Sequence, residues 1–296
     1  MVAFFALGPL VIYPVFLMKV MCFALFACAF NLLLGYVGLL SFGHAMFLGI
    51  AGYTAAHAAK EWGLTPELAI LCGAAAACVL GLAAGLIAIR RQGIYFAMIT
   101  LALAQMVYFF CVQAPFTHGE DGIQAVPRGL LFGLIDLADV GAMYVTVLVI
   151  FLAGFLLVHR IIHSPFGQVL KAIRENEARA VSLGYDTDRY KLIAFVLSTT
   201  LTGVAGAMNA IVFQLAALNG VHWTMSGEVV LMTLVGGLGT VFGPVVGALA
   251  VLAMENYLAK LGAWVTIAQG VIFVLCVLTF RRGIVGELAR RLGRPL

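Results

Sequence analysis

Apolar positions in this chain come in long uncharged runs, and the few charged residues fall between them. A helix needs about 17 to 25 such residues to cross a bilayer. The first run predicts a span over about residues 2 to 18, ending at Lys19, and reads as a retained span with no basic n-region before it. Residues 20–59 hold either two spans or a broken helix. The stretch from Gly35 to Tyr53 has five glycines, and Asn31, Ser41 and His44 fall at membrane depth. Thr65, Pro66 and Glu67 supply a cap, a first-turn proline and a first-turn acid, opening a span of about 66–89 that stops at Arg90 and Arg91. The next span runs from Gly93 to about Ala114, with Thr100 and Gln105 as its polar members. A turn-rich loop from Pro115 to about Val140 precedes a span ending at His159 and Arg160, and further spans are predicted at about 192–217 and 263–280.

Ser164 to Lys191 is the long charged island of the chain. Six of the seventeen Lys and Arg lie between Arg160 and Lys191. Ser164 can cap a helix with Pro165 at its first position, Gly184 can end it, and Asp186 or Asp188 can cap the next. Phe166, Val169, Leu170, Ile173, Ala180 and Val181 would form one apolar face of that helix, and Glu175 would pair with Arg179 at i, i+4. The island reads either as a solvated loop or as a docking element for a soluble partner.

The basic residues set an orientation. Arg90, Arg91, the six in the island, and Arg281, Arg282, Arg290, Arg291 and Arg294 share one side, while Lys19, Lys60, Arg128 and Lys260 are left for the other. The larger set is expected on the cytoplasmic side. The chain must then leave and re-enter between the spans at 192–217 and 263–280, but too few apolar residues precede Gly236, Gly237 and Gly239 for two crossings. A re-entrant element follows: a half helix from about Glu228 to Val235, a glycine break near mid-membrane, and a helix returning from Pro244. Broken backbone at that depth is tolerated where protein buries it or water lines it. The predicted fold is an all-α polytopic membrane protein with roughly 8 to 10 transmembrane segments, broken ones included, in one domain spanning 1–296.

Composition agrees. Of 296 residues, 64% are hydrophobic and 10% charged, and the mean hydropathy is +1.09, too apolar for a water-soluble globule. The net charge of +4 is distributed by membrane side, which argues against nucleic-acid binding. The six cysteines lie in apolar runs without CxxC spacing and read as buried small hydrophobes. No GxxxxGK, HExxH or GxSxG occurs, so no catalytic or metal-ligating residues are assigned. Glu228, Glu255 and His222 sit near predicted outer ends, which makes an ion-coupled carrier the secondary reading. The helix from Pro244 would turn free amides of about Gly243 to Val246 toward the break and favour a carboxylate. The candidate pathway residues are Asn31, Ser41, His44, Thr100, Gln105, Gly236, Gly237, Gly239 and Gly243. Each polar one can equally be an interhelical hydrogen bond, and the glycines can equally serve close helix approach.

Four segments carry a resemblance: NLLLGYVGLLSFGHAMFLGIAGY (31–53), RQGIYFAMITLALAQM (91–106), SPFGQVLKAIRENEARAVSLGYDTDRYKLIAF (164–195) and GGLGTVFGPVVGA (236–248). Together they resemble the permease family of branched-chain amino-acid ABC importers, in particular its M-type subunits. The resemblance implies that the island, within 160–191, is a cytoplasmic coupling loop. Arg174, Glu175, Asn176, Glu177, Ala178, Arg179 and Gly184 would then contact an ATP-hydrolysing subunit. It further implies a second related permease subunit, two ATPase subunits, a periplasmic solute-binding protein and a place in the bacterial inner membrane. ATP and Mg would reside on the ATPase chains, with no cofactor on this one. Relatives with similar motifs carry urea or short amides as well as amino acids.

Overall fold

The computed structural model describes residues 5, 8–10, 12–133, 135–258, 267, 270, 271, 273, 274 and 283–292. The predicted span at 263–280 lies largely outside them. The described residues are mostly helical, and five helices are long and apolar enough to cross a bilayer: Pro14–Val37, Pro66–Ala88, Ile94–Gln113, Val140–Ile162 and Thr187–Phe213.

Helix α1 (Pro14–Asn31) has proline in its first turn and continues into a π-turn, Leu32–Val37, closed by Gly38 at φ +84°. Almost all of it is buried, so it forms the centre of the bundle. The expected boundary at Lys19 is wrong: Lys19 lies inside α1 and forms an ion pair with Glu255 (3.3 Å). A paired lysine near a helix end does not terminate a span, because its long stem lets the charge reach a partner.

Three helices pack on one another through small residues, and the last in sequence also packs on α1. Helix α2 (His44–Lys60), helix α3 (Pro66–Ala88) and helix α8 (Thr187–Phe213) approach so closely that side chains are excluded. A Cβ on Gly206 would lie 2.0 Å from the Leu48 carbonyl, one on Gly73 2.7 Å from the Ala51 carbonyl, and one on Gly203 2.4 Å from Ala77 Cβ. The buried stripe Gly73, Ala77, Gly81, Ala84, Ala88 of α3 repeats at helical spacing, while Leu71, Val79, Leu82, Leu86 and Ile87 point outward. That division is the sequence pattern of a helix packed by small residues on one side and bathed in lipid on the other.

Helix α4 (Ile94–Gln113) buries Phe96, Thr100, Ala104 and Cys111, and exposes Ile94, Tyr95, Met98, Met106, Phe109 and Phe110. Strand β1 (Ile123–Gln124) follows, then the hairpin β2 (Leu130–Leu131) and β3 (Ile135–Asp136). Helix α5 (Val140–Ile162) starts at Asp139, whose carboxylate accepts the Ala142 amide (3.0 Å). Helices α6 (Pro165–Glu175) and α7 (Glu177–Ser182) form the island. Asp186, one of the two caps the sequence offers, then caps α8. Beyond α8, strand β4 (Leu215–Ala216) pairs antiparallel with β1, Ile123 opposite Ala216.

Helices α9 (Trp223–Gly236) and α10 (Gly243–Leu258) form a hairpin. At 14 residues, α9 is about 21 Å long, short of the roughly 30 Å of hydrocarbon. A Cβ on Gly236 would sit 1.9 Å from the Gly243 carbonyl, and one on Gly247 1.8 Å from the Met232 carbonyl, so glycine is required where the two helices touch. The break between them therefore falls where the glycines 236–243 predict it. It lies against Arg174 of the island and against helix α11 (Gly283–Leu292).

Candidate functional site

The two broken segments meet. Asn31, the last residue of α1, donates from Nδ2 to the Thr240 carbonyl (3.0 Å) and accepts the Gly239 amide on Oδ1 (3.1 Å). One amide side chain thus pairs with two backbone groups of the α9–α10 turn, taking the place of a helical ladder. Thr240 closes the same turn, donating to the Gly237 carbonyl (2.8 Å) and accepting the Gly243 amide (3.1 Å). Gly35 completes the contact: a Cβ there would lie 2.2 Å from Asn31 Oδ1 and 2.8 Å from the Gly239 amide.

The island reaches into this junction. Arg174 donates from its guanidinium to the Gly35 carbonyl, and its Cγ lies 3.1 Å from where a Gly38 Cβ would be. Its Nη1 is 3.3 Å from the corresponding position on Gly239. Arg174 is exposed, yet its stem and head lie along Gly38, Gly35 and Gly239 instead of pointing simply outward to a partner. An arginine suits this place because its planar head can satisfy a broken helix's carbonyl while its stem packs on glycine backbone.

Within the island, the expected single helix is two. Asn176, extended at φ −158°, ends α6, and its side chain accepts the Arg179 amide (3.0 Å) to start α7. Asn before Glu177 is an N-cap followed by a first-turn acid, a signal present in the sequence. Glu175 and Arg179 consequently lie on opposite sides of the break and do not form the expected pair. Glu177 is a fastening residue. It forms an ion pair with Lys191, whose side chain is 2% exposed, and accepts from Thr187 Oγ1 (3.3 Å). Leu170, Ile173 and Ala180 are buried, but Val181, expected on the same face, is exposed. The island exposes Arg174, Glu175, Asn176, Ala178 and Arg179, together with Val181, Leu183 and Tyr185, next to the turn at Gly184 (φ +89°). The apolar members of that patch were missed because helical periodicity assigned Val181 to the core.

The other pathway candidates lie elsewhere. His44 is fully buried among Phe30, Phe47 and Phe195, with ring centroids 5.0, 5.7 and 5.9 Å away. Ser198 donates to the Ala29 carbonyl, so His44 Nε2 donates to Ser198 Oγ (2.9 Å), joining α2, α8 and α1. Ser41 is fully buried and accepts the Gly43 amide (3.3 Å). Thr100 bonds to the Ala97 carbonyl of its own helix (2.9 Å), and its carbonyl would lie 2.6 Å from a Cβ on Gly43. Gln105 is half-buried on α4. None of these lines the cavity of about 480 Å³ bordered by Lys19, Phe23 and Met225. The start of α10 also differs from expectation: the Gly243 amide is given to Thr240, the Val246 amide to the Phe242 carbonyl, and Pro244 has none. A residue that sequence reasoning missed is Ser226, which accepts the Ala45 amide (2.9 Å) and ties α9 to the first turn of α2.

The family described as the permease component of the branched-chain amino acid transport system matches residues 14–280, nearly all of the helices above. The chain belongs to this family. The high-affinity branched-chain amino acid transport system permease protein LivM of Escherichia coli (strain K12) is 24% identical over 287 residues, covering 89% of this chain and 68% of that protein. The ribose import permease protein RbsC of Bacillus subtilis (strain 168) is 25% identical over 236 residues, covering 74% and 70%. The xylose transport system permease protein XylH of Haemophilus influenzae is 30% identical over 125 residues, covering 38% and 32%. No solved structure matches. Within this ABC permease family, amino-acid and sugar permeases stand at comparable identity, so membership sets the architecture and leaves the cargo open.

Proposed function

We propose that this chain is a transmembrane subunit of an ATP-driven importer for branched-chain or related amino acids. The observation that carries the reading is Arg174. It extends from the island to Gly35, whose helix holds the α9–α10 turn through Asn31. A push or pull on the island therefore reaches both broken segments without passing through a flexible linker. The island faces the cytoplasm of an inner-membrane protein, in keeping with the distribution of Lys and Arg. The exposed group of Glu175, Ala178, Arg179, Val181, Leu183 and Tyr185 docks an ATP-hydrolysing subunit, which carries the ATP and Mg. A second, related permease subunit and a periplasmic binding protein complete the importer.

Vesicles containing the complete importer, loaded with ATP and given the binding protein outside, test this. Labelled leucine should accumulate only with ATP inside. Accumulation driven by a pH gradient without ATP would replace this reading with the ion-coupled carrier. Accumulation of ribose or xylose but not leucine would retain the ATP-driven importer and reject the amino-acid cargo. The same assay with urea and short amides separates the remaining cargo class.

A further inference from the structure

Helices α3 and α8 touch through glycine: a Cβ on Gly81 would lie 2.0 Å from Thr199 Oγ1, and one on Gly85 2.7 Å from Leu192 Cδ1. At Gly85 a groove of about 270 Å³ opens between the last turn of α3 and the start of α8, walled by Gly85, Leu86, Ile89 and Leu192 and bordered by four charged residues. At 23 residues α3 is about 34 Å long, enough to cross the roughly 30 Å of hydrocarbon, so its end reaches the headgroup layer. Arg90 and Arg91 follow at once, and the island leads into α8, so the groove belongs to the basic side of the bundle.

The four charges are Arg90, Asp186, Asp188 and Arg189. Asp186 and Arg189 pair with each other at 2.7 Å. Arg90 and Asp188 are exposed and form no ion pair among the described residues, which leaves one free cation and one free anion on the rim of the same groove. Water solvates such charges, so by themselves they select nothing. The apolar wall gives them direction, because Leu86 continues into Leu82 and Val79, all exposed along one face of α3 toward the hydrocarbon.

An occupant that satisfies every part needs a phosphate for Arg90, a hydrogen-bonding cation for Asp188 and a hydrocarbon chain for the wall. A phospholipid with a primary-amine headgroup has all three. A guanidinium matches phosphate through two parallel hydrogen bonds, and a carboxylate accepts from an ammonium group. A quaternary amine has no N–H for Asp188, and a headgroup without a cation sets its negative charge against Asp186 and Asp188. A soluble partner cannot follow the wall into the bilayer.

We infer that this groove binds one phospholipid of the phosphatidylethanolamine type, with its phosphate on Arg90 and its ammonium group on Asp188. Bound there, the lipid ties the end of α3 to the start of α8 and fastens the trailing end of the island to the membrane. The inference needs the chain to span a bilayer and is independent of the cargo.

Native mass spectrometry of the purified full chain, given dioleoyl phosphatidylethanolamine, phosphatidylcholine or phosphatidylglycerol in turn, counts the lipids retained. The chain should keep one phosphatidylethanolamine about fivefold more tightly than either of the others, the scale of one partly exposed charge pair. Asp188→Asn should bring phosphatidylethanolamine and phosphatidylcholine to within about twofold of each other, since the ammonium group loses its countercharge. Arg90→Gln should weaken both about tenfold, while Arg91→Gln, which alters an exposed residue outside the groove lining, changes neither. All three substitutions fall on exposed side chains, so the fold is preserved. Equal weakening by Arg90→Gln and Arg91→Gln would reduce the binding to general attraction toward a basic surface and overturn the inference. Equal retention of the three lipids by the unaltered chain, or tighter retention of phosphatidylglycerol, would overturn it as well. Release of the lipid when the complete importer assembles would make the groove a protein interface, and the inference would fall. None of these outcomes bears on leucine uptake, so the importer reading is tested separately.

Discussion

The guanidinium of Arg174 donates to the carbonyl of Gly35, joining the charged island to the π-turn that ends the central helix. Because Asn31 of that same helix holds Gly239 and Thr240, the island, α1 and the α9–α10 turn form one connected unit. Coupling between distant sites needs such an element with contacts at both ends. The packing explains why the residues involved are so small: the junction has room for backbone and for one arginine stem, and little else.

Gly35 is the tightest point of that junction. Gly35→Ala should destabilise the protein by about 2 kcal/mol, because the added methyl meets Asn31 and the Gly239 amide. Gly227→Ala, where nothing lies within 4 Å of the added carbon, should be neutral or stabilising by about 0.5–1 kcal/mol. Thermal unfolding of the purified variants in one detergent compares them. Equal stability of the two would contradict the close contact.

Glu177 and Arg179 should separate folding from docking. Glu177→Gln leaves buried Lys191 without its countercharge and should lower stability by about 3 kcal/mol. Arg179→Glu alters an exposed side chain, so unfolding should be unchanged while co-purification of the ATPase subunit falls. Loss of ATPase binding in neither variant would remove the docking role from α7.

His44→Phe keeps an aromatic ring among Phe30, Phe47 and Phe195 but loses the bond to Ser198, at a cost of about 1 kcal/mol. The KM for leucine should not move, since His44 is a joint between helices. A shift of about tenfold would return His44 to the pathway.

Much of the architecture is legible in the sequence because membrane spans are set by local pattern. Thr65 with Pro66, Asp186, and the glycines at 236–243 mark real helix ends, and the apolar runs mark real helices. Lys19 misled because hydropathy treats any charge as a boundary, whereas this one finds Glu255, 236 positions along the chain. Asn176 was missed because the apolar periodicity runs through it, although its own capping chemistry interrupts the helix. The direction of Arg174 and the Oδ1 of Asn209, buried without a hydrogen-bond partner among the described residues, were beyond reach. Each depends on which elements meet in space: residues of α1, α2, α8, β4 and α9 line the cavity beside Asn209.

The central claim is that Arg174 transmits the island's movement to the broken helices, and the ratio of leucine transported to ATP hydrolysed tests it most directly. In vesicles with the complete importer, Arg174→Ala should lower that ratio about tenfold while hydrolysis and assembly continue. Arg174→Ala with an unchanged ratio would contradict the account.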